Sequence, residues 1–181
     1  RIFIVNLQAQ IRRLTDLVED LLLFSRDVPL ESAEPVPLAP LLSDVADELA
    51  ALADEKCIAV RVQETQAVVR GQDGLLERVF YNLLENAIKY SPAGTAIDVA
   101  VGTDGECTTV SFADEGCGVP EELREAIFEP FFRVDASRSH LTGGNGLGLA
   151  LCKKILERHG ASIRVLPHTP RGSIFQVSFP A

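Results

Sequence analysis

Asn82-Leu83-Leu84-Glu85-Asn86-Ala87-Ile88-Lys89-Tyr90 ends a stretch, running from Gln72, in which Leu76, Val79, Phe80, Leu83 and Ala87 recur at helical spacing and share one face. Asn82, Asn86 and Lys89 stand at i, i+4 and i+7 on another face, so one helix carries a core side and a polar side. Two carboxamides a turn apart, with a cation on the next turn, suit a metal–phosphate complex. Their carbonyl oxygens can face a hard cation while the ammonium faces a phosphate. A solvated helix face has the same spacing, and the stretch alone does not separate the two readings.

Downstream, alternating apolar residues predict strands over 96–101 and 108–113, joined by the hairpin signal Gly102-Thr103-Asp104-Gly105. The second strand runs into Asp114-Glu115-Gly116-Cys117-Gly118, where a carboxylate can accept from an exocyclic amine and two glycines let backbone approach a ligand closely. A plain turn has the same composition. Cys117 reads as a turn filler, with thiol control of ligand binding as its alternative. Residues 120–127 are expected to form a short helix, with Pro120 near its first turn and Glu121 and Glu122 favoured by the helix dipole. After a polar stretch, Gly143-Gly144-Asn145-Gly146-Leu147-Gly148-Leu149 opens a predicted helix over 145–159, with Gly160 as its C-cap. Free backbone N–H groups at such a helix start favour an anion. The spacing is neither that of the dinucleotide fingerprint nor that of the P-loop. Two last strands are expected over 162–166 and 173–179.

Upstream, a helix over 38–56, a strand over 57–63 with Ile58, Val60 and Val62 alternating, and a strand over 67–70 are expected. Helices and strands mix without regular βαβ alternation, so the expected class is α+β, a two-layer α/β sandwich rather than a doubly wound sheet. Residues 28–37, with Pro29, Pro35 and Pro37, read as a linker. Before them Ile4, Leu7, Ile11, Leu14, Val18 and Leu21 alternate spacings of three and four, the seam of a helix that packs on a partner helix.

The 181 residues are 46% hydrophobic and 24% charged, a globular composition. A chain of this size buries roughly 70% of its unfolded surface, so its core needs no disulfide or metal. The four cysteines show no C-x-x-C spacing and the three histidines are not interleaved with them, which points to a reduced, cytoplasmic protein without structural zinc. A net charge of −9 argues against nucleic acid or an anionic membrane surface as a partner, and makes an anionic ligand depend on locally gathered donors. No apolar run approaches the ~20 residues of a membrane span. With no Met in the sequence, the chain is expected to be part of a longer one, whose parent could be a membrane-bound sensor.

Taken together and in this order, the three polar segments, with Phe128-Glu129-Pro130-Phe131-Phe132-Arg133 between the second and third, resemble the catalytic ATP-binding domain of a two-component sensor histidine kinase. Residues 82–90 resemble the family's N box, 114–118 its first glycine box, 128–132 its F box and 144–148 its second glycine box. Gly172-Ser173-Ile174-Phe175 resembles the closing motif on the last strand, and residues 12–22 resemble the second helix of the family's dimerisation bundle. The resemblance implies a Bergerat-type fold, with a mixed sheet packed on three helices, over 38–181. It also implies that 1–27 is the C-terminal helix of a dimerisation hairpin whose first helix is absent.

The resemblance further implies that Asp114 accepts from the adenine amine, that Asn86 ligates Mg²⁺, and that Lys89, Arg133 and more weakly Arg138 contact the phosphates of ATP, with Tyr90 near the purine. Asn82, Lys89 and Arg133 are implied in catalysis. Gly116, Gly118, Phe132, Gly144, Gly146, Leu147, Gly148 and Ser173 are implied to line the nucleotide, the segment 132–144 forming a mobile lid. Homodimerisation through the N-terminal helix and a response-regulator receiver domain as partner are implied as well. A phosphoacceptor should be a helical His followed by Asp or Glu. His140, His159 and His168 are followed by Leu141, Gly160 and Thr169, so the acceptor is expected outside these residues.

Three alternatives compete. The same fold serves hydrolases of the gyrase, heat-shock chaperone and mismatch-repair type, where a Glu stands one turn before the metal-binding Asn. Here that position is Asn82, which cannot take a proton from water, and Glu85 points roughly 60° away from it. A serine or threonine kinase of this fold is disfavoured by the paired-helix segment. A nucleotide-responsive dimerisation module without activity is disfavoured by intact Asn86, Lys89, Asp114 and glycine boxes.

Overall fold

The computed structural model describes residues 15, 18, 21, 22, 24, 25, 33–134 and 146–180. Phe80 lies at the centre of the core. Its ring centroid is 5.9 Å from that of Phe112 and meets Phe179 edge-on at 6.5 Å. These contacts join the middle of a long helix to the inward face of a sheet, because successive strand residues alternate faces and the helix presents its apolar stripe to one of them.

The strands are β1 (Glu34–Pro37), β2 (Ala59–Val62), β3 (Val68–Gly71), β4 (Ala96–Thr103), β5 (Cys107–Ala113), β6 (Ser162–Pro167) and β7 (Ser173–Pro180). The helices are α1 (Leu38–Glu48), α2 (Ala50–Glu55), α3 (Asp73–Tyr90) and α4 (Gly148–Arg158). Five strands form a mixed sheet in the order β2-β4-β5-β7-β6, parallel only between β2 and β4. Ile97, Val99, Val110, Phe112, Val165, Phe175, Val177 and Phe179 point from it into the core, where Leu38, Leu42, Val45, Leu76, Leu83, Leu151 and Leu156 of α1, α3 and α4 meet them. Polar residues such as Asp98, Arg164 and Gln176 occupy other positions along the same strands, and Arg164 donates to Gln176 across β6 and β7. The architecture is the expected mixed sheet on three main helices.

Four local expectations are corrected. The linker placed over 28–37 ends earlier, because residues 34–37 are strand β1, paired antiparallel to β3 with Pro35 opposite Arg70 and Pro37 opposite Val68. An antiparallel pair exchanges hydrogen bonds only at alternate residues, and the two prolines share one parity, so the ladder can run through Glu34 and Val36. The helix over 120–127 is two 3₁₀ turns, Glu121–Leu123 and Ala126–Phe128, closed by i to i+3 bonds such as Leu123 N–H to the Pro120 carbonyl. Gly146 takes φ +73°, a left-handed conformation that excludes it from a right-handed helix, so α4 starts at Gly148 rather than at 145. The 38–56 helix is interrupted at Leu49, where ψ is 0°.

Thr15, Val18, Leu21, Leu22, Phe24 and Ser25 are helical, and the seam residues Val18 and Leu21 are exposed, as is Leu22 beside them. Phe24 packs on the core of the following unit, with Lys154 of α4 over its ring at 4.9 Å and donating to its carbonyl. The seam positions 4, 7, 11 and 14 and linker residues 28–32 lie outside the described residues. No helix among the described residues is long and apolar enough to cross a membrane.

Candidate functional site

The second half of α3 carries four of the expected site residues. Leu83, Leu84, Ala87 and Ile88 are buried, which turns Asn82, Asn86 and Lys89 to the opposite side, each partly exposed, with Tyr90 exposed at the helix end. The Asn82 amide donates to the Arg78 carbonyl at 3.0 Å. Lys89 Nζ pairs with Glu85 at 3.2 Å, in the Glu-before-Lys order that a helix favours.

Asp114 follows the last residue of β5 and is 4% exposed. Its Oδ1 accepts the N–H of Gly116 at 2.7 Å and that of Ser173 at 3.2 Å, while its own N–H donates to the Ser173 carbonyl at 2.9 Å. Oδ2 is left outside those bonds. Burial pushes this carboxyl above its usual range; the two N–H bonds and the His168 imidazole pull it back only in part. Gly116 is required by close approach, since a Cβ there would lie 2.7 Å from Asp114 Oδ1 and 2.8 Å from the Tyr90 carbonyl oxygen. The first glycine box is thereby seated on the end of α3. Gly118 adopts φ +76°, and Cys117 between the glycines is exposed and free.

The second glycine segment reaches the same helix from the other side. A Cβ on Gly148 would lie 3.0 Å from Asn82 Oδ1, and one on Gly146 would lie 2.9 Å from the backbone of Phe131. The Phe131 N–H donates to the Gly146 carbonyl, which ties the F box to this segment. Phe128 is buried, Phe132 and Arg133 are partly buried and Leu147 is fully buried. Of the expected site residues, Arg138 and Gly144 lie outside the described residues, as do His140 and most of the expected lid. Of the others, Gly116 and Gly148 come against α3, at Tyr90 and Asn82, and Asp114 is bonded to Gly116 and Ser173.

Three residues with no site signal in the sequence support this arrangement. The Lys56 ammonium donates to the carbonyls of Ile88, Lys89 and Ser91 at 2.7, 2.8 and 2.8 Å, capping the C-terminal end of α3, and burial lowers its pKa. His168 Nδ1 donates to the Asp114 carbonyl at 2.7 Å, and Arg171 Nε donates to the Gly116 carbonyl at 3.0 Å. In the sequence His168 stands out only as a histidine followed by Thr169 rather than by an acidic residue.

Residues 71–181 match the family described as histidine kinase-, DNA gyrase B- and HSP90-like ATPases. The sensor-like histidine kinase SenX3 of Mycolicibacterium smegmatis is 35% identical over 187 residues, an alignment covering 99% of this chain and 48% of SenX3. The chain thus spans about half the length of that relative. The mycobacterial sensor histidine kinase MprB superposes with a TM-score of 0.72 at 29% identity, covering 82% of this chain and 97% of that one. Histidine kinase ThkA, in a complex with the response regulator protein TrrA, superposes with a TM-score of 0.77 at 25% identity, covering 96% of this chain and 48% of that one. The chain belongs to the histidine kinase-, gyrase B- and HSP90-like ATPase family, and within it to the ATP-binding catalytic domains of sensor histidine kinases.

Proposed function

We propose that this domain binds Mg-ATP and, in its parent protein, passes the γ-phosphoryl group to a histidine nitrogen outside these 181 residues, for relay to an Asp of a response-regulator receiver domain. The observation that carries the reading is Asp114. A buried carboxylate whose Oδ1 is held by two backbone N–H groups keeps Oδ2 as an oriented acceptor for an exocyclic amine such as that of adenine. Lys89 and Arg133 supply cationic contacts for phosphate, with Arg138 as a further one. Gly116, Gly118, Gly146, Gly148, Leu147, Phe132, Tyr90 and Ser173 are assigned to the nucleotide's surroundings, as is Gly144, which lies outside the described residues. In phosphoryl transfer such positioning and charge neutralisation are most of catalysis.

Mg²⁺ retains water and takes phosphate oxygens, so it needs few protein ligands. The described residues hold no cluster of three or more His, Cys, Asp or Glu side chains suited to a metal, and the partly exposed carboxamide of Asn86 offers the hard oxygen such a cation takes. Held by Asn86, such an ion would supply neutralisation of the phosphate charge.

Transfer to histidine is favoured over hydrolysis because no carboxylate stands at Asn82, and Glu85 is engaged by Lys89. None of the chain's histidines precedes an acidic residue, while His159 and His168 are bonded into the fold. The parent acts as a homodimer through the N-terminal helix and exposes this domain to the cytoplasm, in keeping with the exposed seam residues and the four free cysteines. The ThkA complex supports a response regulator as partner.

The test follows γ-labelled ATP with Mg²⁺ on this chain and on a version extended upstream. Acid-labile label on the extended protein alone, with little free phosphate from either, is expected. Rapid phosphate release from the short chain, with label on neither, would make it a hydrolase instead.

A further inference from the structure

The turn from Pro167 to Gly172, between β6 and β7, lies directly against the first glycine box. It is closed by the His168 N–H donating to the Gly172 carbonyl at 3.2 Å. Gly172 adopts φ +118°, and a Cβ there would fall 1.8 Å from the Asp114 carbonyl oxygen, so the turn backbone and the glycine-box backbone are in contact. From this turn two side chains reach across. His168 Nδ1–H takes the Asp114 carbonyl at 2.7 Å, and Arg171 Nε–H takes the Gly116 carbonyl at 3.0 Å.

Asp114 is therefore held at every polar atom of its backbone. Its N–H is bound by the Ser173 carbonyl and its carbonyl by His168, while Oδ1 is fixed by the N–H groups of Gly116 and Ser173. Gly116 and Gly118 flank a loop with wide conformational freedom, and a carbonyl fixed by an outside donor removes much of that freedom.

We infer that His168 and Arg171 are positioning residues for adenine recognition: by holding the Asp114 and Gly116 carbonyls they fix the direction of the Asp114 carboxylate, and with it the selectivity for a 6-amino purine. The inference rests on the reading of Asp114 as the adenine acceptor. It distinguishes orientation from mere stability, because a misdirected carboxylate weakens binding only of ligands that donate to it. Inosine diphosphate carries a 6-oxo group in place of the amine, so it has no N6–H to make the bond that this direction serves.

The test measures ADP and IDP affinity by calorimetry with Mg²⁺ for the wild-type chain and for His168→Ala, Arg171→Ala and His168→Asn, with thermal unfolding of each. In the two alanine variants ADP affinity is expected to fall about three- to tenfold and IDP affinity to stay within about twofold, so the ADP-to-IDP ratio falls. His168→Asn restores it, since the Asn amide N–H occupies the place of Nδ1–H. A wild-type preference for ADP left intact in both alanine variants, or ADP and IDP weakened in parallel, overturns the inference while leaving the Asp114 reading standing. A wild-type chain that binds both nucleotides but does not distinguish them overturns that reading and the inference with it.

Discussion

The imidazole Nε2 of His159 accepts the backbone N–H of Gln72 at 3.1 Å, tying the end of α4 to the N-cap of α3. Nδ1–H of the same ring donates to the Ile155 carbonyl at 2.8 Å, which sets the tautomer. Burial lowers the His159 pKa, opposed by the Ile155 contact and reinforced by the charge of Arg158. The folded value thus lies below the unfolded one of about 6.5. Stability contributed by neutral His159 is fully present above that unfolded value and is lost as pH falls through the folded pKa. The melting temperature is expected to drop between pH 7 and pH 5 with a component that His159→Gln removes, because Gln keeps an acceptor at the Nε2 position and does not titrate. Equal pH slopes in the two proteins would refute this coupling.

Lys56 concentrates three charge-assisted hydrogen bonds on the last turn of α3. Lys56→Met leaves those carbonyls without their cation and is expected to lower the unfolding free energy by about 1–3 kcal/mol. Urea unfolding reads this directly, and an unchanged midpoint would show that water replaces the ammonium at no cost. Nucleotide affinity is expected to weaken too, since Lys89 and Tyr90 sit on the turn that Lys56 caps.

Asp114→Asn is isosteric but not conservative. The Gly116 and Ser173 N–H groups require an acceptor at the Oδ1 position, so the amide nitrogen is forced to the Oδ2 position. There it presents donors to a donating amine. ADP affinity is expected to fall about ten- to hundredfold, the range of a lost hydrogen bond to a charged group. Calorimetric titration decides it, and wild-type affinity would remove Asp114 from the adenine site.

Gly172→Ala is expected to destabilise the domain by about 3 kcal/mol or more, because its φ of +118° and the 1.8 Å approach to the Asp114 carbonyl leave no room for a Cβ. Gly94→Ala is the control. It also has a positive φ but open space around the added carbon, so its cost is limited to backbone strain of about 1 kcal/mol. Equal melting temperatures for the two variants would contradict the packing account.

Much of the fold was legible because it follows from short-range periodicity. The α3 stripe of Leu76, Val79, Phe80, Leu83 and Ala87 is buried as its spacing predicts, and the alternation in β4, β5 and β7 matches the sheet's inward face. The 3₁₀ turns at 121–128 and the late start of α4 were not legible, since both depend on backbone geometry imposed by neighbours. Gly146 is left-handed where its segment packs against Phe131. Nor did a run with two prolines announce a strand. Only pairing with β3, reached after residues 38–67, makes Glu34–Pro37 one.

By itself the sequence determined the helix and strand faces, the order of the glycine boxes and the residue types offered to a nucleotide, because each is written in residues a few positions apart. The tertiary structure alone decided which distant groups hold Asp114 and the end of α3. Lys56 meets the end of α3 across 32 to 35 residues, and His168 meets Asp114 across 54. Such contacts have no local period to betray them. They exist because a buried carboxylate and a helix end must find hydrogen-bond partners wherever the packed chain brings them.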